Sequence, residues 1–230
     1  MKRPTDLIID PHFKAVLCPY GTTPNPAPAC WYRMHTCVSE NFTMDDKLPK
    51  DPSGSLIRNA LQAKKHWHVL DGAFATVHVG GFNHDTSMQF RTHQNNDTLI
   101  QSLRYTGVRI LDQSLETESV FYVSPALPGS SQSILREKNN ISRVVYKEQV
   151  DNGLDLEQAK KFIEMNVRQN FSMSGTMTAW LHMLDQRLLR DTEIEAQTCA
   201  WMILDQLHIW WPELIDWYLE TRAMKNNLAP

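Results

Sequence analysis

The sequence predicts an α+β fold, with a mixed β-sheet and a helical C-terminal half. Two observations predict it: an alternating, partly β-branched segment at residues 74–80, and helical spacing of apolar residues from residue 176 onward. A third observation concerns domain organisation, because the chain has no internal repeat and no low-complexity linker. We therefore expect residues 1–230 to form one domain.

The first fifty residues are rich in proline. Six prolines fall within residues 1–29, which we expect to be extended or looped because proline lacks a backbone N–H group. A short helix is predicted over residues 29–37. Asp51 precedes Pro52, an N-cap setting that predicts a helix over residues 54–65.

The strand predictions fall in the middle of the chain. Residues 74–80 alternate between polar and apolar side chains and end at the glycine pair Gly80-Gly81. Residues 120–123, bounded by serines and followed by prolines, predict a second strand. A short strand is predicted between these two, over residues 108–111.

The second half of the chain is predicted to be helical. A helix begins at residue 154 and runs toward residue 167. Apolar residues recur with a period near 3.6 over residues 176–189, which indicates a helix with one buried face. A third helix begins at residues 191–192 and is broken by Pro212, and a fourth follows over residues 213–222.

Length and composition exclude several classes of protein. The 230 residues are 42% hydrophobic, with 23 basic and 26 acidic side chains, which suits a large core and is unlike a disordered chain. A net charge of -3 argues against a protein that coats nucleic acid. The chain shows no signal-peptide core and no window of membrane-spanning character. We therefore expect a cytoplasmic protein with neither nucleic acid nor membrane as partner.

The cysteines argue against a metal or disulfide framework. Cys18, Cys30, Cys37 and Cys199 show no paired CxxC spacing. We expect free thiols in a reducing compartment and no metal site.

Four tryptophans crowd the C-terminal region, at positions 201, 210, 211 and 217. Aromatic side chains dominate both cores and subunit interfaces, so packing is the favoured interpretation. A ring-stacking site is the alternative.

The segment Ser102-Leu103-Arg104-Tyr105 carries the clearest chemical signal. A hydroxyl, a guanidinium and neighbouring backbone N–H groups lie within one short arc. Such a donor-rich set suits a phosphate or carboxylate, which accepts several charge-assisted hydrogen bonds at once.

This segment and its surroundings resemble the flavin-dependent thymidylate synthases, the ThyX family. The family signature is Arg-His-Arg, seven residues, and then a serine usually followed by x-Arg-Tyr. Counting back from Ser102 puts Thr92-His93-Gln94 at the Arg-His-Arg position with the seven-residue gap intact. The upstream strand at residues 74–80, the Gly153-Leu-Asp-Leu-Glu-Gln-Ala-Lys segment and a helix ending in Leu184-Asp-Gln-Arg follow in the family order. The resemblance covers roughly residues 55–222, and the first fifty residues match the family only loosely.

The resemblance implies a pyrimidine-nucleotide site that is well preserved. Lys160 stands where the family has an arginine, so a point charge replaces a planar fork. Arg187 is implied as the catalytic residue, because stabilising negative charge on the pyrimidine makes C5 nucleophilic without an enzyme cysteine. The implied substrate-binding residues are Gln89, Ser102, Leu103 (through its backbone), Arg104, Lys160 and Arg187.

The flavin half departs from the family pattern. Both arginines of the Arg-His-Arg signature are missing, and the family's Asn-x-Arg reads Thr176-Met177-Thr178. Losing three arginines should weaken the binding of a doubly charged FAD pyrophosphate, and Arg91 is expected to compensate in part. The implied cofactor-binding residues are Arg91, Thr92, His93, Gln94, Thr176, Thr178 and His182.

The resemblance implies transfer of a one-carbon unit to C5 of a pyrimidine nucleotide. In the family, dUMP becomes dTMP, with FAD as cofactor and with methylenetetrahydrofolate and NADPH as co-substrates. Family members are homotetramers whose sites lie at subunit junctions.

Two other functions are compatible with the residues. One is an altered-specificity homologue that hydroxymethylates a pyrimidine nucleotide or methylates another nucleotide, and the other is a non-catalytic nucleotide-binding homologue. Taken singly, Arg104 and Arg187 are typical of surface ion pairs, His93 of a half-buried histidine, and Lys160 of a solvated face.

Overall fold

The computed structural model describes residues 3–223 and is organised around four strands. They are β1 (Lys14–Leu17), β2 (Phe74–Asn83), β3 (Asp97–Ile100) and β4 (Arg168–Thr176). They form one sheet in the order β1-β2-β4-β3, and every neighbouring pair is antiparallel. The predicted α+β class is confirmed, whereas the predicted mixed sheet is wrong because the sheet contains no parallel pair.

Strand β2 contains the predicted strand and is longer than predicted. Its alternating pattern buries Ala75, Val77 and Val79 against the core and leaves the intervening side chains on the other face. The pairing with β4 shifts register between Gly80 and Phe82. Gly81 at that bulge has φ +86°, a conformation that favours glycine, and a Cβ there would collide with the carbonyl oxygen of His12.

The helices before β2 are close to those predicted. Helix α1 spans Pro26–His35, and α2 spans Pro52–Leu56 and continues as a π-helical segment over Ile57–Gln62. Asp51 caps α2 as expected, accepting a hydrogen bond from the backbone N–H of Gly54 at 2.7 Å. Short 3₁₀ turns lie at Pro19–Gly21, Thr43–Asp45 and Trp67–Gly72.

The middle of the chain differs most from the sequence-based expectation. After α3 (His84–Arg91) and β3, three single turns of helix follow, and then one long helix. The predicted strand at residues 108–111 is instead a helical turn, and the one at residues 120–123 begins in another helical turn and keeps only an isolated bridge between Phe121 and Val167. These helices are α4 (Leu103–Thr106), α5 (Val108–Leu111), α6 (Thr117–Val120) and α7 (Gly129–Asp151).

The predicted helix over residues 154–167 is also wrong. Only α8 (Leu156–Ala159) and a 3₁₀ turn over Lys160–Phe162 form there, and the chain then enters β4. Asp155 caps α8 by accepting from the N–H of Gln158 at 2.8 Å. The turn directs the chain back into the centre of the sheet.

The C-terminal helices are confirmed. They are α9 (Met177–Arg187), α10 (Ile194–Trp210) and α11 (Pro212–Thr221). The sheet's inner face and these helices enclose the main core, in which Trp180 donates from its indole N–H to the carbonyl of Ala75 at 3.2 Å. Trp201 and Trp211 are buried in this core, so packing accounts for them.

A buried arginine joins the N-terminal segment to the sheet. Arg168 donates to Asp10 Oδ2 at 2.8 Å and to the carbonyl of Gly81 at 2.6 Å. Its guanidinium lies 5.9 Å from the ring centre of Phe13 and 5.2 Å from that of Tyr122. Since Arg168 is 4% exposed, its charge depends on these partners rather than on water.

Other expectations concern cysteines, metals and membranes. All four cysteines are free thiols. Within residues 3–223, no group of three or more His, Cys, Asp or Glu side chains is arranged to hold a metal ion. No helix in the same range is long and apolar enough to cross a membrane.

Candidate functional site

Arg187, the implied catalytic residue, is the centre of a hydrogen-bonded cluster. It is the last residue of α9, and its guanidinium reaches across to the end of α3. Nε donates to His93 Nε2 at 2.8 Å, and Nη2 donates to the carbonyl of Gln89 at 2.8 Å and to Thr92 Oγ1 at 3.2 Å. The structure thus brings together four of the predicted site residues.

The surroundings of Arg187 contain no direct acidic partner. Within the described residues, no carboxylate forms a salt bridge with its guanidinium. Asp185, two residues earlier, is buried and accepts from Arg222 at 2.8 Å and from Tyr218 at 3.1 Å. The surface-ion-pair interpretation of Arg187 is therefore not what the structure contains, and its charge remains available to a ligand.

His93 is neutral at physiological pH. It is 4% exposed, and burial lowers its pKa from 6.5 to about 4, with the charges of Arg187 and His182 acting in the same direction. Because Nε2 accepts from Arg187, the proton of the neutral ring is on Nδ1. His93 therefore orients Arg187 without adding a second positive charge.

Gln89 lies between a cation and an anion. Its Oε1 accepts from Arg187 Nη1 at 3.4 Å, and its Nε2 donates to Glu193 Oε2 through a short hydrogen bond. Gln89 is in helix α3 and not in a strand. Glu193 was not identified from the sequence, in which it lies in the first turn of the helix predicted to begin at residues 191–192.

The second group of predicted residues surrounds the start of α4. Ser102 is the N-cap, and its Oγ accepts from the N–H of Arg104 at 3.4 Å. Arg104 forms a salt bridge with Glu157 Oε2 at 3.0 Å, with both side chains about half exposed. This pair joins α4 to α8, directly before Lys160, which begins the following 3₁₀ turn. Leu103, the first residue of α4, lies between Ser102 and Arg104 in the sequence.

The two groups lie at opposite ends of β3. His93 and the turn that follows it precede Asp97, which pairs with Ser174, whereas Gln101 pairs with Asn170 just before Ser102. The five residue steps from Asp97 to Ser102 span roughly 16 Å at about 3.3 Å each. One chain therefore does not bring Arg187 and Ser102 into a single contact set.

The remaining predicted residues lie near the His93 end of the sheet. Thr176 caps α9 by accepting from the N–H of Ala179 at 3.4 Å, and Thr178 Oγ1 donates to the carbonyl of Trp67 at 3.1 Å. His182 Nε2 accepts from Gln186 at 2.9 Å. Each of these three side chains therefore already forms a hydrogen bond within the chain.

The donor set at this end fits a polar, anionic group such as FAD. Arg91 is exposed at the C-terminal end of α3 and has no acidic partner within residues 3–223, and Gln94 is exposed nearby. Asn96, which is 7% exposed, has neither amide atom hydrogen-bonded to any described residue. Gly175 leaves room for this amide, since a Cβ there would collide with Asn96 Nδ2. Asn96 was not identified from the sequence.

Comparison with known proteins agrees with the resemblance. The family described as the thymidylate synthase complementing proteins, Thy1, matches residues 20–213. A flavin-dependent thymidylate synthase from Haloarcula marismortui is 24% identical over 186 residues, which cover 72% of this chain and 75% of that protein.

Solved structures agree with the fold. A crystal structure of ThyX from Helicobacter pylori with FAD and dUMP matches with a TM-score of 0.72 and 16% identity, covering 93% of this chain and 99% of that one. A second structure of the H. pylori protein, also complexed with FAD and dUMP, has a TM-score of 0.67 and 13% identity, covering 84% and 93%. The family match extends over most of the chain, and we conclude that this protein belongs to the ThyX family of flavin-dependent thymidylate synthases.

Proposed function

We propose that this chain transfers a one-carbon unit from methylenetetrahydrofolate to C5 of a pyrimidine nucleotide, converting dUMP to dTMP. The observation that carries the proposal is Arg187, a guanidinium held by Gln89, Thr92 and neutral His93 and paired with no carboxylate among the described residues. Family membership and the dUMP bound in the H. pylori structures support the choice of substrate.

Arg187 would activate the pyrimidine by electrostatics. Donors aimed at a ring oxygen stabilise the negative charge that develops there, and this raises electron density at C5. Partial burial lowers the pKa of Arg187, yet an arginine remains protonated at any physiological pH. C5 then forms a bond to the methylene carbon, the carbon–nitrogen bond to the folate breaks, and the C5 proton leaves.

The phosphate would bind at the start of α4. The Ser102 hydroxyl, the Leu103 and Arg104 backbone N–H groups and the Arg104 guanidinium form one donor set, and Lys160 adds a second positive charge. The Arg104–Glu157 pair is half exposed, and such pairs contribute only about 0–1 kcal/mol, so a phosphate can compete for the guanidinium.

Two copies of the chain would complete one site. The Arg187 group and the Ser102 group lie at opposite ends of β3, so a nucleotide that contacts both would take them from different subunits. A homotetramer with sites at subunit junctions, as the family implies, meets this requirement.

FAD would bind at the His93 end of the sheet, near the nucleotide base. Arg91 and Gln94 are the exposed groups that would hold it, with the unpartnered Asn96 amide buried beside them. Bound FAD would supply the redox chemistry, with NADPH as the source of the hydride that completes the methyl group. The loss of the family arginines predicts weaker FAD binding than in the family at large.

The visible absorption spectrum and ligand-induced stabilisation test the proposal together. We expect a yellow protein, or a colourless one that binds added FAD, and a rise in melting temperature with dUMP. Ser102→Ala should reduce the dUMP-dependent rise and leave the fold intact, as judged by circular dichroism. A protein that binds dUMP but ignores FAD would favour the hydroxymethylating alternative, which needs no final reduction. A protein that binds both ligands and forms no product would be a non-catalytic homologue.

A further inference from the structure

Arg187, Gln89 and Glu193 form a hydrogen-bonded chain that runs from a cation through a neutral amide to a carboxylate. The Gln89 amide accepts from Arg187 Nη1 at 3.4 Å through Oε1, and donates to Glu193 Oε2 through Nε2. A flipped amide would place its NH₂ group against the guanidinium and its oxygen against the carboxylate. Both contacts would be repulsive, so Glu193 and Arg187 together allow one amide orientation.

Glu193 is held where it can perform this role. It immediately precedes α10, but its side chain makes no capping bond to that helix and reaches α3 instead. The connection from α9 to α10 is pinned by Gln197 Nε2, which donates to the carbonyl of Leu189 at 2.7 Å. Thr192 Oγ1 also donates to the carbonyl of Gln186 at 3.1 Å. A fixed loop therefore carries the carboxylate.

We propose that Glu193 is a positioning residue that fixes the Gln89 amide toward the pyrimidine, while Gln89 in turn keeps Glu193 from pairing with Arg187. This inference rests on the proposed function, because it assumes that Gln89 and Arg187 contact the nucleotide. The amide acts as a spacer between the two charges. Without it, Glu193 and Arg187 would face each other across the space that the amide occupies.

The neighbourhood of Glu193 supports this role. Burial, the adjacent Glu195 and Asp85 on α3 all raise the pKa of Glu193, and the hydrogen bond from Gln89 lowers it. The carboxylate thus sits among like charges and depends on one donor. The amide links the carboxylate to one cation, Arg187, so removing it favours a direct pair between the two charges.

The test is a change of sign between two backgrounds, measured by dUMP affinity. In the wild-type background, Glu193→Ala frees the amide and should weaken dUMP binding roughly tenfold, the effect of losing one hydrogen bond to a charged group. Gln89→Leu should weaken it further, because Glu193 then pairs with Arg187. Adding Glu193→Ala to Gln89→Leu should strengthen dUMP binding relative to Gln89→Leu alone.

Asp191→Ala is the matched control, since Asp191 is an exposed acid two residues away with no hydrogen bond or ion pair to the described residues. It should leave dUMP affinity unchanged in both backgrounds. Glu193→Gln keeps an acceptor for the amide and should retain most of the affinity. An unchanged affinity in Glu193→Ala, or a loss of equal size in both backgrounds, overturns the proposal.

A ligand-free measurement separates this inference from the proposed function. If the wild-type protein does not bind dUMP, the proposed function fails. The titration of His93, followed by NMR, still tests the hydrogen-bonded chain of Arg187, Gln89 and Glu193. Gln89→Leu should raise the pKa of His93 from about 4, because Glu193 then neutralises Arg187. Adding Glu193→Ala to Gln89→Leu should lower the pKa of His93 again. A His93 pKa that is the same in all variants overturns the inference.

Discussion

Arg187 is a cation in a neutral setting. Its contacts are a carbonyl, a hydroxyl, an amide oxygen and a histidine that burial keeps uncharged. Each contact orients the guanidinium without neutralising it. Electrostatic stabilisation of a developing anion requires both a fixed geometry and an unspent charge, and the cluster supplies both.

Arg187→Ala should abolish turnover and leave the fold intact. The expected loss in kcat is roughly 100-fold or more, because one preorganised donor to a developing anion is removed. Product formation from dUMP, with circular dichroism as a check of folding, is the measurement. Arg187→Lys is the control for charge alone, and it should recover little activity because the ammonium cannot reproduce the fork of donors. Full activity of Arg187→Ala would mean that Arg187 is not catalytic, and full activity of Arg187→Lys would mean that the positive charge alone suffices.

His93 makes stability depend on pH. The unfolded chain binds a proton at His93 near pH 6.5, whereas the folded chain does so only near pH 4. Since the folded pKa is lowered, stability from this residue is fully present above about pH 6.5 and is lost as pH falls toward 4. The difference between the two pKa values corresponds to roughly 3 kcal/mol in the free energy of unfolding.

Chemical denaturation between pH 4 and pH 7 should show this slope. His93→Gln removes the titrating group and retains polar character, so its free energy of unfolding should vary less over the same range. Equal slopes in the wild type and the variant would show that His93 does not titrate as described.

At the scale of elements, strand β2 depends on one glycine. Gly81 lies at the bulge that shifts the register against β4, with φ +86° and the His12 carbonyl directly beside it. Gly129, the first residue of α7, has no atom within 4 Å of the position its Cβ would occupy. The two glycines therefore form a matched pair.

Gly81→Ala should lower the free energy of unfolding by more than about 2 kcal/mol, because it adds both a strained φ and a backbone collision. Gly129→Ala should change it by no more than about 0.5 kcal/mol. Thermal or denaturant unfolding of the two variants measures this difference in the free energy of unfolding. A similar small effect at both positions would place the strain elsewhere.

Elements with a clean period could be predicted from the sequence, and the others could not. Strand β2 and helices α9 to α11 carry apolar residues at regular spacing and were found. Strand β4 begins Arg168-Gln169-Asn170, and its buried polar side chains find partners only in the folded chain. Helix α7 buries Tyr146 as its large apolar residue and otherwise mainly polar side chains, so no apolar stripe marks it.

The site shows the same division. The family resemblance assigned Gln89 and Arg187 to the nucleotide and His93 to the flavin, and the structure joins all three in one hydrogen-bonded cluster. Glu193 could not be found this way, because its contact with Gln89 joins residues 104 positions apart through a loop of unremarkable sequence. Asn96 is a similar case, since only burial reveals that its amide lacks a partner.

At the scale of the whole molecule, the proposed nucleotide site would take residues from two subunits. The groups around Arg187 and Arg104 lie near opposite ends of β3, so we expect them to reach one nucleotide from different copies. Subunits that lack Arg187 and subunits that lack Arg104 should therefore complement each other. A site is intact when it takes Arg187 from a subunit that lacks Arg104 and takes Arg104 from a subunit that lacks Arg187.

Co-expression of Arg187→Ala with Arg104→Ala should restore activity at low dUMP concentration, to roughly a quarter of the wild-type level for random assembly. Each variant alone is the control, and each should be weak under the same conditions. Mixed protein no more active than the separate variants would mean that each site lies within one chain.

The bridge from Arg168 to Asp10 bears on where this fold begins. The family match starts at residue 20, yet Asp10 supplies the buried guanidinium with its carboxylate, and the N–H of Ile8 donates to Thr198 on α10 at 3.1 Å. A shortened chain beginning at residue 20 would lose β1 and leave the buried cation at the start of β4 without its counter-charge. Boundaries for expression are therefore better drawn from this ion pair than from the extent of family similarity.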